Sequence, residues 1–275
     1  YWLKLAAEQG HCEAQYSLGQ KYTEDKSRHK DNEQAIFWLK KAALQGHTFA
    51  SNALGWTLDR GEAPNYKEAV VWYQIAAESG MSYPQNNLGW MYRNGNGVAK
   101  DYALAFFWYK QAALQGHSDA QNNLADLYED GKGVAQNKTL AAFWYLKSAQ
   151  QGNRHAQFQI AWDYNAGEGV DQDYKQAMYW YLKAAAQESV GAYVNIGYMY
   201  KHGQGVEKDY QAAFEWFTKA AECNDATAWY NLAIMYHYGE GRPVDLRQAL
   251  DLYRKVQSSG TRDVSQEIRE TEDLL

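Results

Sequence analysis

The sequence predicts an all-α solenoid, in which helix pairs stack so that each repeat packs against its neighbours. Three observations predict it: a nearly fixed period, glycines after one helix of each repeat, and an N-cap residue before the other. The period is marked by Ala-Ala-x-x-Gly, and successive marks lie 36 residues apart except for one step of 34. The marks fall at Gly10, Gly46, Gly80, Gly116, Gly152, Glu188, Asn224 and Gly260. Such a period indicates supersecondary units that cannot cover their apolar faces alone.

The marks predict one repeat domain at 1–260, followed by a polar segment at 261–275. Residues 1–10 match the second helix of later repeats, so we expect a truncated repeat there, with the natural start lying upstream. Seven full repeats are expected at 11–46, 47–80, 81–116, 117–152, 153–188, 189–224 and 225–260. In the polar segment, Val264 and Ile268 are four residues apart, a spacing that predicts a short capping helix.

The first helix of each repeat is clearest in the unit 81–116. Its apolar residues Leu88, Met91 and Tyr92 follow helical spacing and predict a helix over about 83–94. Gly95 and Gly97 are expected to end this helix, because glycine tolerates the left-handed backbone of a C-cap. Small residues recur inside the first helices and predict close helix contact at that point. They are Gly19, Gly55, Gly89, Ala125, Ala161, Gly197 and Ala233.

The second helix begins after an Asp or Asn, which can accept hydrogen bonds from the first unpaired backbone N–H groups. The predicted caps are Asp31, Asn65, Asp101, Asn137, Asp173, Asp209 and Asp245. At four of them the residue three positions later completes the pattern of a capping box. These residues are Gln34, Glu68, Gln176 and Gln248.

A tryptophan recurs inside the second helices. The residues are Trp2, Trp38, Trp72, Trp108, Trp144, Trp180 and Trp216. A stripe of indoles can form a carbohydrate or cofactor platform, but its presence in repeat after repeat favours a packing role. We expect the Trp108→Ala substitution to cost about 3 to 5 kcal/mol.

The pattern read from Leu88 to Gly116 is Leu-Gly-x-Met-Tyr-x-x-Gly-x-Gly-Val-x-x-Asp-Tyr-x-x-Ala-x-x-Trp-Tyr-x-x-Ala-Ala-x-x-Gly, with small variations. It resembles the Sel-one-like repeat, a bacterial relative of the tetratricopeptide repeat, over nearly the whole chain. The resemblance implies a right-handed α/α superhelix whose first helices line a concave surface. It also implies an adaptor that holds a protein or peptide partner. Many members carry a cysteine pair in each repeat, whereas this chain has only Cys12 and Cys223, which are expected to be free thiols.

Two repeats depart from the pattern. The first has the charged run 25–30 in place of its glycines, and we expect residues 24–30 to be mobile. The second is two residues shorter around Gly61 and Pro64.

Composition narrows the range of partners. The formal net charge is -6, whereas binding to a phosphate backbone needs clustered Lys and Arg, so we expect no nucleic-acid partner. No apolar run approaches the roughly 20 residues of a membrane-spanning helix, so we expect no span. The sequence assigns no compartment.

If the first helices line the concavity, side chains at three repeat positions form a candidate partner-binding surface. Amides recur at the first position, aromatic residues at several of the second, and polar residues end the helix. The candidates are Asn87, Trp90, Asn94, Asn123, Asp126, Asp130, Trp162, Asn195, Tyr198, His202 and Asn231. Regular amides could pair with an extended peptide backbone, and the aromatics could anchor it. Alternatively, the amides bond within the helix stack and the aromatics fill the inner curve.

The acidic group Asp126, Glu129 and Asp130 would favour a Lys or Arg on the partner, although a solvated face explains it equally well.

Motifs for catalysis are weak, and we expect no enzyme activity, cofactor or metal. Ser27 and Lys30 match a Ser-x-x-Lys motif but lie in a charged loop, and no Lys-Thr-Gly follows. The paired glycines lack the third glycine and preceding strand of a dinucleotide site. His202 and His237 occupy adjacent repeats, yet no further ligand completes a zinc set. The alternative function is a weak hydrolase or binder of β-lactam or peptidoglycan-related compounds, to which a few cysteine-rich relatives have been linked.

Overall fold

The computed structural model describes residues 1–24, 31–61 and 63–275, and the regular structure of these residues is helical throughout. The helices are α1 (Trp2–Glu8), α2 (Cys12–Glu24), α3 (Asn32–Leu44), α4 (Thr48–Arg60), α5 (Tyr66–Glu78), α6 (Ser82–Asn94), α7 (Tyr102–Leu114), α8 (Ser118–Asp130), α9 (Lys138–Gln150), α10 (Arg154–Ala166), α11 (Tyr174–Ala185), α12 (Val190–His202), α13 (Tyr210–Glu222), α14 (Ala226–Tyr238), α15 (Leu246–Ser259) and α16 (Ser265–Asp273).

The helices form two compact units, residues 1–144 and residues 145–275. Within each unit, helices that follow one another along the chain pack together. Even-numbered helices from α2 to α14 are the first helices of the repeats, and odd-numbered helices from α3 to α15 are the second. The all-α repeat fold is confirmed. The division into a domain at 1–260 and a segment at 261–275 stays a prediction.

The predicted N-caps of the second helices are confirmed. All seven side chains, those of Asp31, Asn65, Asp101, Asn137, Asp173, Asp209 and Asp245, accept a hydrogen bond from a backbone N–H in the first turn of the following helix. Each such cap stabilises its helix by about 1 kcal/mol. The caps therefore fix where every second helix begins.

At three of the four predicted capping boxes, the second half is missing. In a complete box, the side chain three residues on binds the backbone N–H of the capping residue. Here the N–H of Asp173 instead donates to the carbonyl of Tyr164 at the end of α10, at 2.9 Å. Asn65 and Asp245 make the equivalent bonds to the preceding helix, also at 2.9 Å. The box prediction was wrong at Asn65, Asp173 and Asp245, because this donor ties the two helices of a repeat together, and it stays a prediction at Asp31.

The two glycines of each pair have different roles. Gly95 ends α6 in the left-handed conformation, with φ 78°, as predicted. Gly97 also has a positive φ, but a Cβ placed there would collide with the backbone of Tyr66 at the start of α5. The second glycine is therefore a contact point between successive repeats, in addition to a turn residue.

The most buried large side chain of each repeat lies one residue after the tryptophan position, which Leu252 occupies in the last repeat. These residues, fully buried or nearly so, are Tyr73, Tyr109, Tyr145, Tyr181, Phe217 and Tyr253, with Leu39 in the first repeat. The tryptophans pack beside them: Trp38, Trp72 and Trp180 are buried, while Trp108 is half-buried against an apolar cluster whose members run from Leu39 to Met91. Their packing role is confirmed except at Trp2, which is exposed.

The small residues of the first helices make room for those rings. A Cβ added to Gly89 would lie 2.7 Å from the ring of Tyr109, and one added to Gly55 would lie 2.8 Å from Tyr73. Since a real Cβ atom does not approach this closely, glycine at these positions permits the helices of one repeat to touch. The predicted close contact is confirmed.

The last helix covers the end of the second unit. α16 packs on α15, with Val264 fully buried beside Tyr253 and Val256, and Ile268 partly buried against the same cluster. The predicted short helix is present.

Candidate functional site

The candidate residues lie on the first helices, at the amide, aromatic and end positions defined by the sequence. We call this surface the first-helix face. In the first unit it is carried by α4, α6 and α8, and in the second unit by α10, α12 and α14. The two parts are described separately.

The amides of the first-helix face are engaged within the chain. Asn123 donates to Asn86 Oδ1 at 3.0 Å, and Asn195 donates to the carbonyl of Gly191 at 2.9 Å within its own helix.

Asn231 is only 2% exposed and donates both to the hydroxyl of Tyr198 and to the carbonyl of Thr227. The prediction that it faces a partner was wrong, because its side chain completes the packing of α14 on α12. These repeated amides thus follow the alternative interpretation, in which the side chains bond within the helix stack.

The aromatic position presents indole rings to solvent. Trp56 and Trp90 are 42% and 41% exposed in the first unit, and Trp162 is 38% exposed in the second. Tyr198, at the same position in α12, is partly buried by the rings of Phe217 and His202. Large rings exposed at a repeated position of one face are the kind of side chain that anchors a protein partner.

A cleft of about 360 Å³ opens between α4 and α6 in the first unit. It is lined by Asp59, Arg60, Asn86, Asn87 and Trp90. Asp59 accepts a 2.7 Å hydrogen bond from the hydroxyl of Tyr73. Burial raises the pKa of the Asp59 carboxyl above its ordinary value. The Tyr73 hydrogen bond and the charge of Arg60 lower this pKa, but by less. Sequence reasoning selected Asn87 and Trp90 here but missed Asp59 and Asn86.

The end position is polar and exposed. Asn94 caps its own helix by donating to the carbonyl of Trp90 at 2.9 Å. His202 is exposed and its ring stacks on Tyr198. Asp130 forms a 2.8 Å ion pair with Lys132.

The acidic group on α8 is neutralised by cations of the chain itself. Arg93 lies 3.0 Å from Asp126, and Lys138 lies 3.6 Å from Glu129. With Lys132 beside Asp130, each of the three carboxylates has a basic neighbour, so a Lys or Arg on a partner is not needed to balance them.

Within the described ranges 1–24, 31–61 and 63–275, no group of three or more His, Cys, Asp or Glu side chains is arranged to hold a metal ion. His237 is engaged elsewhere, with Nδ1 3.1 Å from the Thr271 hydroxyl. A search of the same residues found no helix that is both long and apolar enough to span a membrane. The segment 25–30 lies outside the described residues, and it contains Ser27 and Lys30. The predicted mobility of residues 24–30 concerns the same segment and stays a prediction.

Comparison with known proteins identifies the repeats. The sequence model described as "Sel1 repeat" matches residues 1–11, 12–47, 48–81, 85–117, 118–153, 154–189, 190–225 and 226–255. The chain belongs to the Sel1 repeat family. Proteins of this family are generally scaffolds for protein–protein interaction and are typically not catalytic.

Three Sel1 relatives define the similarity further. The Escherichia coli K12 protein "Sel1-repeat-containing protein YbeQ" is 99% identical over 101 residues, which cover 37% of this chain and 31% of YbeQ. The crystal structure of c5321, described as "a protective antigen present in uropathogenic Escherichia coli strains displaying an SLR fold", is 36% identical. Its TM-score is 0.87, over 94% of this chain and 56% of c5321. A Sel1 repeat protein from Oxalobacter formigenes is 32% identical, with a TM-score of 0.71 over 78% of this chain and 86% of that protein. The matched regions thus span less than two thirds of YbeQ and of c5321.

Proposed function

We propose that this chain is a non-enzymatic adaptor that binds a peptide segment or protein partner on the first-helix face of its repeats. The observation that carries the proposal is the pair Trp56 and Trp90, exposed at equivalent positions of adjacent repeats beside the α4–α6 cleft. Removal of these apolar rings from water would supply the binding energy, and the polar side chains of the cleft would set the orientation of the partner.

The second unit offers a related surface. Trp162 is the exposed anchor, with Tyr198 and His202 at equivalent or neighbouring positions of the next first helix. The proposal therefore rests on aromatic anchors in each unit. It does not rest on the repeated amides, because Asn123, Asn195 and Asn231 donate to groups of the chain itself.

The hydrolase alternative has no comparable support. Its proposed nucleophile Ser27 and its partner Lys30 lie outside the described residues, and no match reported above is described as a hydrolase.

A comparative capture experiment tests the adaptor proposal. The immobilised chain, the Trp56→Ala/Trp90→Ala variant and a matched Phe37→Ala/Phe107→Ala variant are each incubated with bacterial and host lysates. The control removes two rings of similar exposure from the second helices α3 and α7. We expect at least one protein that the wild type and the control retain equally and the tryptophan variant loses.

The partner is then purified and its dissociation constant measured. Truncation of an anchor residue typically costs about 1 to 2 kcal/mol, so we expect each single Trp→Ala variant to bind about fivefold to thirtyfold more weakly. The proposal fails if every captured protein is retained equally by all three chains, or if the Phe37→Ala/Phe107→Ala variant alone loses binding.

A further inference from the structure

We infer that the α4–α6 cleft of the first unit binds the guanidinium group of an arginine side chain on the partner. This inference rests on the proposed adaptor function and names the chemistry that the cleft recognises. It follows from the carboxylate at the base of the cleft, the exposed indoles beside it, and the chain's own Arg60.

The base of the cleft carries a charge that is held in place. The Asp59 side chain is only 11% exposed, and Tyr73, which is fully buried, donates to its Oδ2 at 2.7 Å. This arrangement fixes the carboxylate and leaves Oδ1 on the side of Arg60, where a cation can approach.

The cleft also has aromatic surface for a flat cation. Trp90 lines it and is 41% exposed, and Trp56 stands at the equivalent position of the preceding first helix. Guanidinium groups stack on indole faces and bind carboxylates through paired N–H donors, whereas an ammonium group does neither as well. The Asp59 carboxylate therefore complements the N–H donors of a guanidinium group, and the indoles complement its flat face.

Arg60 already samples this environment without being held by it. Its guanidinium carbon lies 5.7 Å from the Trp56 ring centroid, and its Nε lies 3.6 Å from Asp59 Oδ1. The side chain is 66% exposed, and ion pairs this open to solvent contribute little to stability. The Arg93–Asp126 pair, at 3.0 Å and with both side chains mostly buried, is far better fixed. A partner arginine with better geometry can displace Arg60 at little cost.

The same features disfavour other ligands. A carboxylate would meet the charge of Asp59 directly, and a purely apolar group would leave that charge desolvated and uncompensated. The cleft volume of about 360 Å³ accommodates one long side chain, with Asn86 and Asn87 at its wall. Asp59 is the buried charge of the cleft, whereas the Arg60 side chain is largely exposed to solvent. These charges favour a cationic occupant.

The experiment uses small probes and the full chain. N-acetyl-arginine methylamide is titrated into the 15N-labelled protein, and the indole N–H signals of Trp56 and Trp90 are assigned with Trp→Phe variants. The matched probe is N-acetyl-citrulline methylamide, which has the shape of the arginine probe without its charge. We expect a saturable shift of the Trp56 or Trp90 signal with arginine and at least tenfold weaker binding of citrulline.

Two substitutions have opposite expected effects. Asp59→Asn still accepts the hydrogen bond from Tyr73 but removes the charge, and it is expected to weaken arginine binding about tenfold. Arg60→Ala removes the internal competitor and is expected to strengthen binding about threefold to fivefold. Because Arg60 is exposed, this second variant remains informative even if Asp59→Asn fails to fold.

Several results would overturn the inference. They are no saturable shift with the arginine probe, equal binding of citrulline or of the corresponding lysine probe, or an Arg60→Ala variant that binds arginine no better than the wild type. The outcome is separable from that of the adaptor proposal. If the Trp56→Ala/Trp90→Ala variant loses a protein partner but the chain does not bind arginine, only the inference is refuted. If the chain binds arginine but no such partner is found, the adaptor proposal is refuted.

Discussion

His117 is an N-cap whose capping ability depends on pH. It precedes α8, and its Nδ1 accepts a hydrogen bond from the backbone N–H of Ala120 at 3.3 Å. A protonated imidazole has no acceptor, so this cap exists only while the ring is neutral. The neighbouring ring is Tyr83, edge-on at 4.6 Å, and Asp119 supplies a negative charge that acts on the imidazole. Burial lowers the pKa of His117 below its usual 6.5, outweighing the Asp119 charge, which raises it.

The sign of the pH effect follows from this lowered pKa. The unfolded chain binds the proton more tightly than the folded chain, so the stabilisation is complete above about pH 6.5 and is lost as the pH falls through the lowered pKa. Loss of a cap costs about 1 kcal/mol, and a positive charge at a helix N-terminus costs about 0.3 to 1 kcal/mol more. Acidification to pH 5 should therefore remove about 1 to 2 kcal/mol through this residue.

The chain itself supplies the control substitution. Asn153 caps α10 at the equivalent position, with φ -63° and ψ 115° against -65° and 113° at His117, and it accepts from Ala156 at 3.0 Å. His117→Asn therefore keeps the cap and removes the titration. Urea unfolding of both proteins between pH 5 and pH 8, followed by circular dichroism, gives their difference in unfolding free energy. We expect near equality at pH 8 and an advantage for the variant of about 1 to 2 kcal/mol at pH 5. A difference that stays constant across this range would refute the reasoning.

Three further predictions concern stability and can be checked by the same unfolding experiments. Tyr109→Ala should cost about 3 to 5 kcal/mol, because its ring is fully buried; an unchanged midpoint would contradict its place in the core. Glu188→Gly should stabilise by up to about 1 kcal/mol, because Glu188 is held at φ 61°, and Asn224→Gly, at φ 62°, should gain less since Asn tolerates this region better. Met81→Asn should stabilise by about 1 kcal/mol, because Met81 is an N-cap without a side-chain bond; no gain would show that α6 does not need one.

The candidate site was only partly predictable. The positions of Trp56, Trp90 and Trp162 follow from the repeat register, since every 34 or 36 residues returns to the same face. Their exposure does not follow from it. The amides stand in the same register, yet Asn231 is buried by Tyr198 of the neighbouring first helix, a contact between residues 33 positions apart. No local pattern distinguishes an amide that faces solvent from one that joins two helices.

Asp59 is a residue of the candidate site that the sequence did not reveal. In the sequence it is one more charged residue near a helix end, next to Arg60. Its importance appears only when Tyr73, 14 residues away, is seen to donate to it from the core. A buried carboxylate is defined by the groups that surround it, and the one that fixes Asp59 comes from another helix, α5.

The sequence by itself determined the repeat, the helix boundaries and the caps, because these depend on local chemistry: a capping oxygen such as that of Asp101, a left-handed glycine such as Gly95, and apolar spacing along one helix. Only the tertiary structure decided which ring occupies the core. Trp108 and Tyr109 are adjacent and both aromatic, but about 100° of helix rotation turns Tyr109 toward Gly89 and leaves Trp108 only half-buried. The choice between them depends on the packing of several helices, which the local sequence does not contain.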